Sequence, residues 1–400
     1  MATKYNDAQM DFFGTDSDLD DESDLKRGTT NAVVTGTDWT TDTILDQMRK
    51  GNIDLSPKFQ RREAWTAERK SRYIESLFLG YPVPQLVLAE TKQPKGKYIV
   101  IDGKQRLLAI RRFGATSQDE SFNPLKLTNL EIRKDFNGMS LKELRANPKY
   151  KDEVNYYENQ PIRTVVIRNW EYEDVLYRIF IRLNTGSLPL STQELRQALH
   201  PGPFSEFSDD FAANSEAIHK ALGIEGPDFR MRDVEILFRY FAFSLFLGDY
   251  HGNLKDFLDN TGERLNRLYQ DDSKYVEDEA RRCEKSINAT FSIFGRYAFK
   301  RWNDGVKKYD GPFNRAVFDV MTYYFKHDAI AKKAIEEKEA VTEAYKVLCK
   351  KPIFLNSIQT TTKSLKATTA RLNAWGKSLE KTLDIKVPYP TLEDNRIILP

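Results

Sequence analysis

Near residue 200 the hydrophobic rhythm of this chain changes. From about Val33 to Leu199, short β-rich runs alternate with amphipathic helical spacing and are punctuated by Gly and Pro. Beyond Pro201 the apolar residues recur at helical spacing over long stretches. Text of this kind predicts an α+β fold with a mixed unit over 33–200 and an all-α unit over 201–400. Residues 1–32 read as an acidic, disordered leader. Residues 1–30 hold eight acids and three bases, a net of −5, so the remainder stands at +7 within the overall +2. A basic body behind an acidic leader suits a nucleic-acid partner, and a leader of this charge also serves solubility.

No run reaches the roughly 18 to 20 uncharged apolar residues of a membrane span, and the amino terminus turns acidic where a secretory signal would turn apolar. The expectation is a cytoplasmic protein with no membrane association. Two cysteines, Cys283 and Cys349, supply neither a disulfide framework nor a zinc cage. The four histidines (His200, His219, His251, His327) form no HExxH or His-x-His pattern, which leaves little for a zinc hydrolase or an HNH nuclease.

Within the mixed unit, Thr40–Met48 has the spacing of a short helix. Thr66 caps a second helix carrying Tyr73, Ile74, Leu77 and Phe78, stopped by Gly80 and Pro82. Val83–Ala89 and Tyr98–Ile101 read as a hairpin about Lys95-Gly96-Lys97. Asp102-Gly103 leads into a helix over Lys104–Phe113, and residues 115–160 form an insertion with its own strand and helix. A strand over Pro161–Ile167 and a helix over Tyr172–Leu183 follow. Ser191 and Glu194 then make a capping box, each satisfying a backbone donor of the other. In the second half, helices are predicted over Arg232–Leu247, Glu277–Trp302, Asn314–Phe325 and Asp328–Leu348. Residues 350–390 hold eight bases and two acids with Leu365, Leu372, Trp375, Leu379 and Leu383 on one stripe, which predicts an amphipathic helix with a basic outer face. Lys363, Lys366, Arg371 and Lys377 on that face are candidate DNA-phosphate contacts.

Three polar clusters interrupt core-like text. In Ile99-Val-Ile-Asp-Gly-Lys-Gln-Arg-Leu-Leu108 a strand runs into a helix, which brings unpaired backbone N–H groups and the positive helix end to one point beside Lys104, Gln105 and Arg106. Such a point suits an anion. Gly103 lets the backbone approach closely, and Arg106 can grip phosphate oxygens in two places. The same residues also suit a plain strand-to-helix turn with Asp102 as its cap. The second cluster, Leu55 to Trp65, sets Gln60, Arg61 and Arg62 between Phe59 and Trp65. The third, Phe180 to Gly186 followed by Leu190 to Arg196, presents Asn184 in a turn between helices. Gly376-Lys377-Ser378 imitates the end of a P-loop but has Arg371 where the first Gly belongs, and Glu336-Glu337-Lys338 lies in a helical charge run, so neither carries chemistry.

Taken in order, Pro57–Trp65, Ile74–Pro84, Asp102–Leu107 and Asn184–Arg196 resemble the patterns P-x-FQR-x-x-x-W, I-x-S-L-x-L-G-x-P-x-P, DGQQR-L and N-x-G-x-x-L-x-x-Q-E-L-R of the domain of unknown function 262 family, found in GmrSD-type modification-dependent restriction enzymes and related phage-defence proteins. The resemblance implies a ParB/sulfiredoxin-like N-terminal domain that binds a nucleoside triphosphate with Mg²⁺. Carried over, Asp102, Gly103, Gln105 and Arg106 form the phosphate-binding turn, Asn184 contacts metal or phosphate, and Gln60 and Arg61 belong to the nucleotide-facing loop. Lys104 stands where the family usually has Gln and adds a charge near the phosphates. The implied activity is slow, Mg²⁺-dependent hydrolysis coupled to DNA sensing, with Arg106 stabilising charge and Asp102 as the first choice of base. The alternatives are a DNA-binding adaptor without catalysis that recruits a separately encoded nuclease, and a ParB-like enzyme that nicks DNA. DNA and a nuclease or defence protein are the partners implied, and homo-oligomerisation stays open.

Overall fold

The structure, a computed structural model, describes residues 32–53, 55, 64–116, 119, 122–183, 191–360 and 362–400. The acidic leader, Gln60, Arg61 and Asn184 therefore lie outside the described residues. The chain divides into two compact units, one covering residues 25–199 and the other built on 200–400.

The first unit opens with β1 (Val33–Thr40) and α1 (Thr41–Arg49), whose N-cap is the Thr40 side chain accepting from the Thr43 N–H. Then come α2 (Ala67–Phe78), β2 (Leu86–Glu90), β3 (Tyr98–Asp102) and α3 (Lys104–Phe113). The hairpin is present, but its first strand begins three residues later than Val83, beyond Pro82 and Pro84, since proline has no N–H to give a ladder. After α4 (Leu141–Ala146), α5 (Lys151–Asn159) and β4 (Pro161–Arg168), the unit closes with α6 (Glu173–Leu183) and α7 (Thr192–Leu199). The four strands form one sheet in the order β1-β4-β2-β3. The β2–β4 pairing is parallel, with Leu86 opposite Thr164, and the other two are antiparallel.

The core of this unit lies where the apolar faces of α1, α2 and α3 meet the insertion. Leu45, Ile74, Leu77, Leu107, Leu108 and Phe113 are all buried there. Phe78 stacks on Tyr157 with ring centroids 4.6 Å apart, so α5 is clamped to α2. Among its described residues the insertion has no strand; it is α4, α5 and short turns. A buried carboxylate replaces sheet pairing as its anchor. Glu75 of α2 accepts from the backbone N–H groups of Glu131 (3.3 Å), Ile132 (2.9 Å) and Arg133 (2.7 Å).

The second unit is largely helical. It contains α8 (Pro203–Asn214), α9 (Glu216–Leu222), α10 (Arg232–Leu245), α11 (Leu254–Asp271) and α12 (Ser273–Phe294). After a hairpin of β5 (Arg301–Asn303) and β6 (Lys308–Asp310) come α13 (Arg315–Phe325), α14 (Asp328–Glu336), α15 (Lys338–Cys349), α16 (Pro352–Ser357) and α17 (Leu365–Leu383), then β7 (Thr391–Glu393) and β8 (Arg396–Ile398). Helices α10 and α13 are buried on nearly every side and form the centre, as expected of helices apolar all round. Two expectations change. The helix predicted to run to Trp302 ends at Phe294 and Trp302 joins a hairpin, while 328–348 is two helices broken at Glu337. Among the described residues no helix is long and apolar enough to cross a membrane.

Candidate functional site

The site grows from the point where β3 becomes α3. The short apolar strand Tyr98–Asp102, with Val100 and Ile101 both buried, gives way to helical spacing at Gly103, which takes φ +102°, a left-handed conformation that an L side chain resists. A Cβ there would also lie 2.4 Å from Leu86 Cδ2. Gly103, not Asp102, is the N-cap of α3, and no side chain caps that end. Asp102 turns instead to Arg106, accepting from its Nη2 at 2.6 Å.

Three segments far apart in sequence meet on this first helical turn. Arg106 Nη2 donates to the carbonyl of Gln85 at 3.0 Å, just past the Pro-x-Pro segment. The Trp65 N–H donates to Gln105 Oε1 at 3.2 Å, which ties in the end of the aromatic cluster. Lys104 Nζ reaches Glu194 Oε1 at 2.5 Å, with the side chains only 7% and 6% exposed. Glu194 in turn completes the capping box at the start of α7: the Ser191 N–H donates to Glu194 Oε2 (2.7 Å) and the Glu194 N–H to Ser191 Oγ (3.1 Å). One carboxylate thus serves a helix start and a buried cation.

A guanidinium at a helix start is ordinarily partly exposed, but Arg106 is 5% exposed and held by Asp102. Its Nε has no hydrogen-bond partner among the described residues, and the same holds for Tyr73 Oη and Gln193 Nε2. Buried polar atoms left in this state ask for a partner that the described protein does not provide. Tyr73 packs edge-on against Trp65 and lies within electrostatic reach of Arg106; burial pushes its phenol up and the guanidinium pulls the other way. Sequence reasoning missed Tyr73 and Gln85 and saw Glu194 only as a cap. The signal available for Glu194 was the Lys at position 104, because a buried cation calls for a carboxylate.

The basic helix α17 divides in two. Lys366 and Lys377 are exposed and Lys363 is half-buried. Arg371, expected on the outer face, is 1% exposed and bonded to the carbonyl of Thr362 (2.5 Å) and to Asp319 (3.5 Å). The cause is helical geometry: Arg371 lies three residues after Thr368 and four before Trp375, both buried, so the buried arc is wider than the leucine stripe.

An α+β unit whose separated motifs converge on a left-handed glycine and a buried arginine defines the class of domain. Residues 42–201 match the family described as GmrSD restriction endonuclease, N-terminal domain. Over those residues the chain is similar to the GmrSD N-terminal domain, in agreement with the resemblance carried by its four motifs. No curated protein matches the chain.

Proposed function

We propose that this chain binds, and slowly hydrolyses, a nucleoside triphosphate at the β3–α3 turn of a ParB-like domain, and that binding is coupled to DNA sensing in restriction or anti-phage defence. The observation that carries the reading is the buried Arg106, whose Nε lacks a described partner beside a glycine that admits close backbone approach. A guanidinium beside a helix start suits phosphate oxygens. The family match to a restriction endonuclease domain supports the DNA side.

In this reading Asp102 and the Gln85 carbonyl aim Arg106, and Glu194 fixes Lys104, so that both cations are oriented before the ligand arrives. The family resemblance adds Gln60, Arg61 and Asn184 to this proposed site. The described carboxylates at the turn, Asp102 and Glu194, are each engaged by a cation. Mg²⁺ would therefore take its ligands from the triphosphate and Asn184, and would supply charge neutralisation. Asp102 remains the first choice for orienting an attacking water. The test is phosphate release from ATP, GTP, CTP and UTP, with and without DNA. Release from at least one of them supports the reading, and none from any of them rejects hydrolysis.

A second reading draws on the same ion pairs. Because Lys104 and Arg106 are both buried and paired, the turn also suits a non-catalytic adaptor that contacts DNA through Lys366 and Lys377 and recruits a separate nuclease. Binding of DNA without nucleotide turnover would favour it, and metal-dependent nicking of plasmid would favour a ParB-like nicking enzyme over both.

A further inference from the structure

Helix α2 brings a second donor to the β3–α3 turn. Tyr73 is 8% exposed, and its ring packs edge-on against Trp65 with centroids 5.7 Å apart. The Trp65 N–H is in turn held by Gln105, next to Arg106 in the chain. Arg106 is the charged group that acts on the Tyr73 phenol, while burial keeps that phenol protonated. The guanidinium folds back over the glycine: a Cβ at Gly103 would lie 3.2 Å from its Nη2 and 3.3 Å from its Nε. Nη2 is engaged by Asp102 and by the Gln85 carbonyl. Arg106 Nε and Tyr73 Oη are buried without a hydrogen-bond partner among the described residues. An Nε–H can only donate and a protonated phenol has a proton to give, so both suit an oxygen acceptor.

We propose, on the reading of the β3–α3 turn as a nucleotide site, that Tyr73 is a specificity residue: with Arg106 Nε it donates to the terminal phosphate of the ligand and so distinguishes a triphosphate from a diphosphate. Atoms this deep are reached by the end of a ligand and not by a link in its middle, because an inner phosphate carries substituents on two sides and a terminal one leaves three oxygens free. The two donors then act differently. A guanidinium attracts phosphate in a chain of any length, whereas a neutral hydroxyl contributes only where an oxygen stands within hydrogen-bond distance. A site whose buried donors match one group rejects the analogue that lacks it, since those donors are then left unpaired.

The experiment is equilibrium binding of ATP, GTP, CTP and UTP, and of their diphosphates, to the full chain in Mg²⁺, on the parent, Tyr73→Phe and Tyr157→Phe. Phenylalanine at position 73 keeps the ring on Trp65 and removes only the hydroxyl. Tyr73→Phe should bind the preferred triphosphate roughly tenfold more weakly and the matching diphosphate as the parent does. Its denaturant midpoint without ligand should be no lower than the parent's, because the hydroxyl makes no hydrogen bond to the described residues. Tyr157 is the control: its hydroxyl is likewise buried without a partner among the described residues, but its ring packs on Phe78 and Phe113, and Tyr157→Phe should leave both affinities unchanged. Unchanged triphosphate affinity in Tyr73→Phe, an equal loss for tri- and diphosphate, a matching loss in Tyr157→Phe, or a lowered midpoint overturns the role given to Tyr73. If the parent itself binds no triphosphate, the nucleotide reading fails and this role fails with it; if the parent binds and only the variant results disagree, the role of Tyr73 fails alone.

Discussion

Lys104 and Glu194 stand ninety residues apart in sequence and meet at 2.5 Å in the interior of the N-terminal unit. The pair joins the first turn of α3 to the first turn of α7. Where the family resemblance suggests an added charge at the phosphates, the structure gives Lys104 a carboxylate of its own. Lys104→Met alone should cost about 3–5 kcal/mol, because it strands a buried carboxylate. Glu194→Gln keeps the cap on Ser191 but strands the ammonium. The double variant should recover more than half of the summed loss, and denaturant midpoints across the four proteins of the cycle check this. Additive losses would mean that the two side chains act independently.

Gly103 tests the turn itself. Gly103→Ala places a Cβ on a φ of +102° and drives it toward Leu86. A destabilisation of about 1–3 kcal/mol is expected from the backbone conformation. An alanine variant as stable as the parent would show that the left-handed turn is not required.

Helix α17 should give two different results from one basic surface. Lys366→Ala with Lys377→Ala should leave melting unchanged and, if DNA binds along this face, lower the salt slope of affinity by about two units. Arg371→Ala should cost at least about 2 kcal/mol, since it strips buried partners from the Thr362 carbonyl and Asp319. A stable Arg371→Ala protein with a reduced salt slope would return Arg371 to the outer face.

Buried tyrosines set an alkaline limit. Burial pushes Tyr250 and Tyr323 up to about 12 and raises Tyr73, Tyr157 and Tyr345 as well. A phenol in the unfolded chain ionises near 10. The folded state therefore keeps protons that the unfolded state has released. Stability from these groups is fully present below about pH 10 and is lost as pH rises through about 12. Chemical denaturation at pH 8, 10 and 11 should show that decline, and a flat profile would contradict it.

Local signals in the sequence were enough for the β3–Gly103–α3 junction, where the hydrophobic period changes at a glycine, and for the Ser191–Glu194 capping box, whose partners lie three residues apart. Contacts set by tertiary structure were not legible. Nothing near Lys104 names Glu194, and nothing near Arg371 shows that Asp319 awaits it on α13. The hairpins β5–β6 and β7–β8 have strands of three residues, too short for alternation to register. The break at Glu337 has neither Gly nor Pro, and nothing in the structure explains it.

The central claim is that the motifs converging on α3 make a triphosphate site, and calorimetric titration with the four nucleoside triphosphates in Mg²⁺ tests it most directly, on the parent and on Arg106→Lys. Lysine keeps a cation opposite Asp102 but loses the planar fork and the Nε that has no partner among the described residues. The account predicts that at least one triphosphate binds at one per chain, and that Arg106→Lys melts within a few degrees of the parent yet binds at least roughly tenfold more weakly. Absence of binding by all four nucleotides, or unchanged affinity in a folded Arg106→Lys protein, would contradict it.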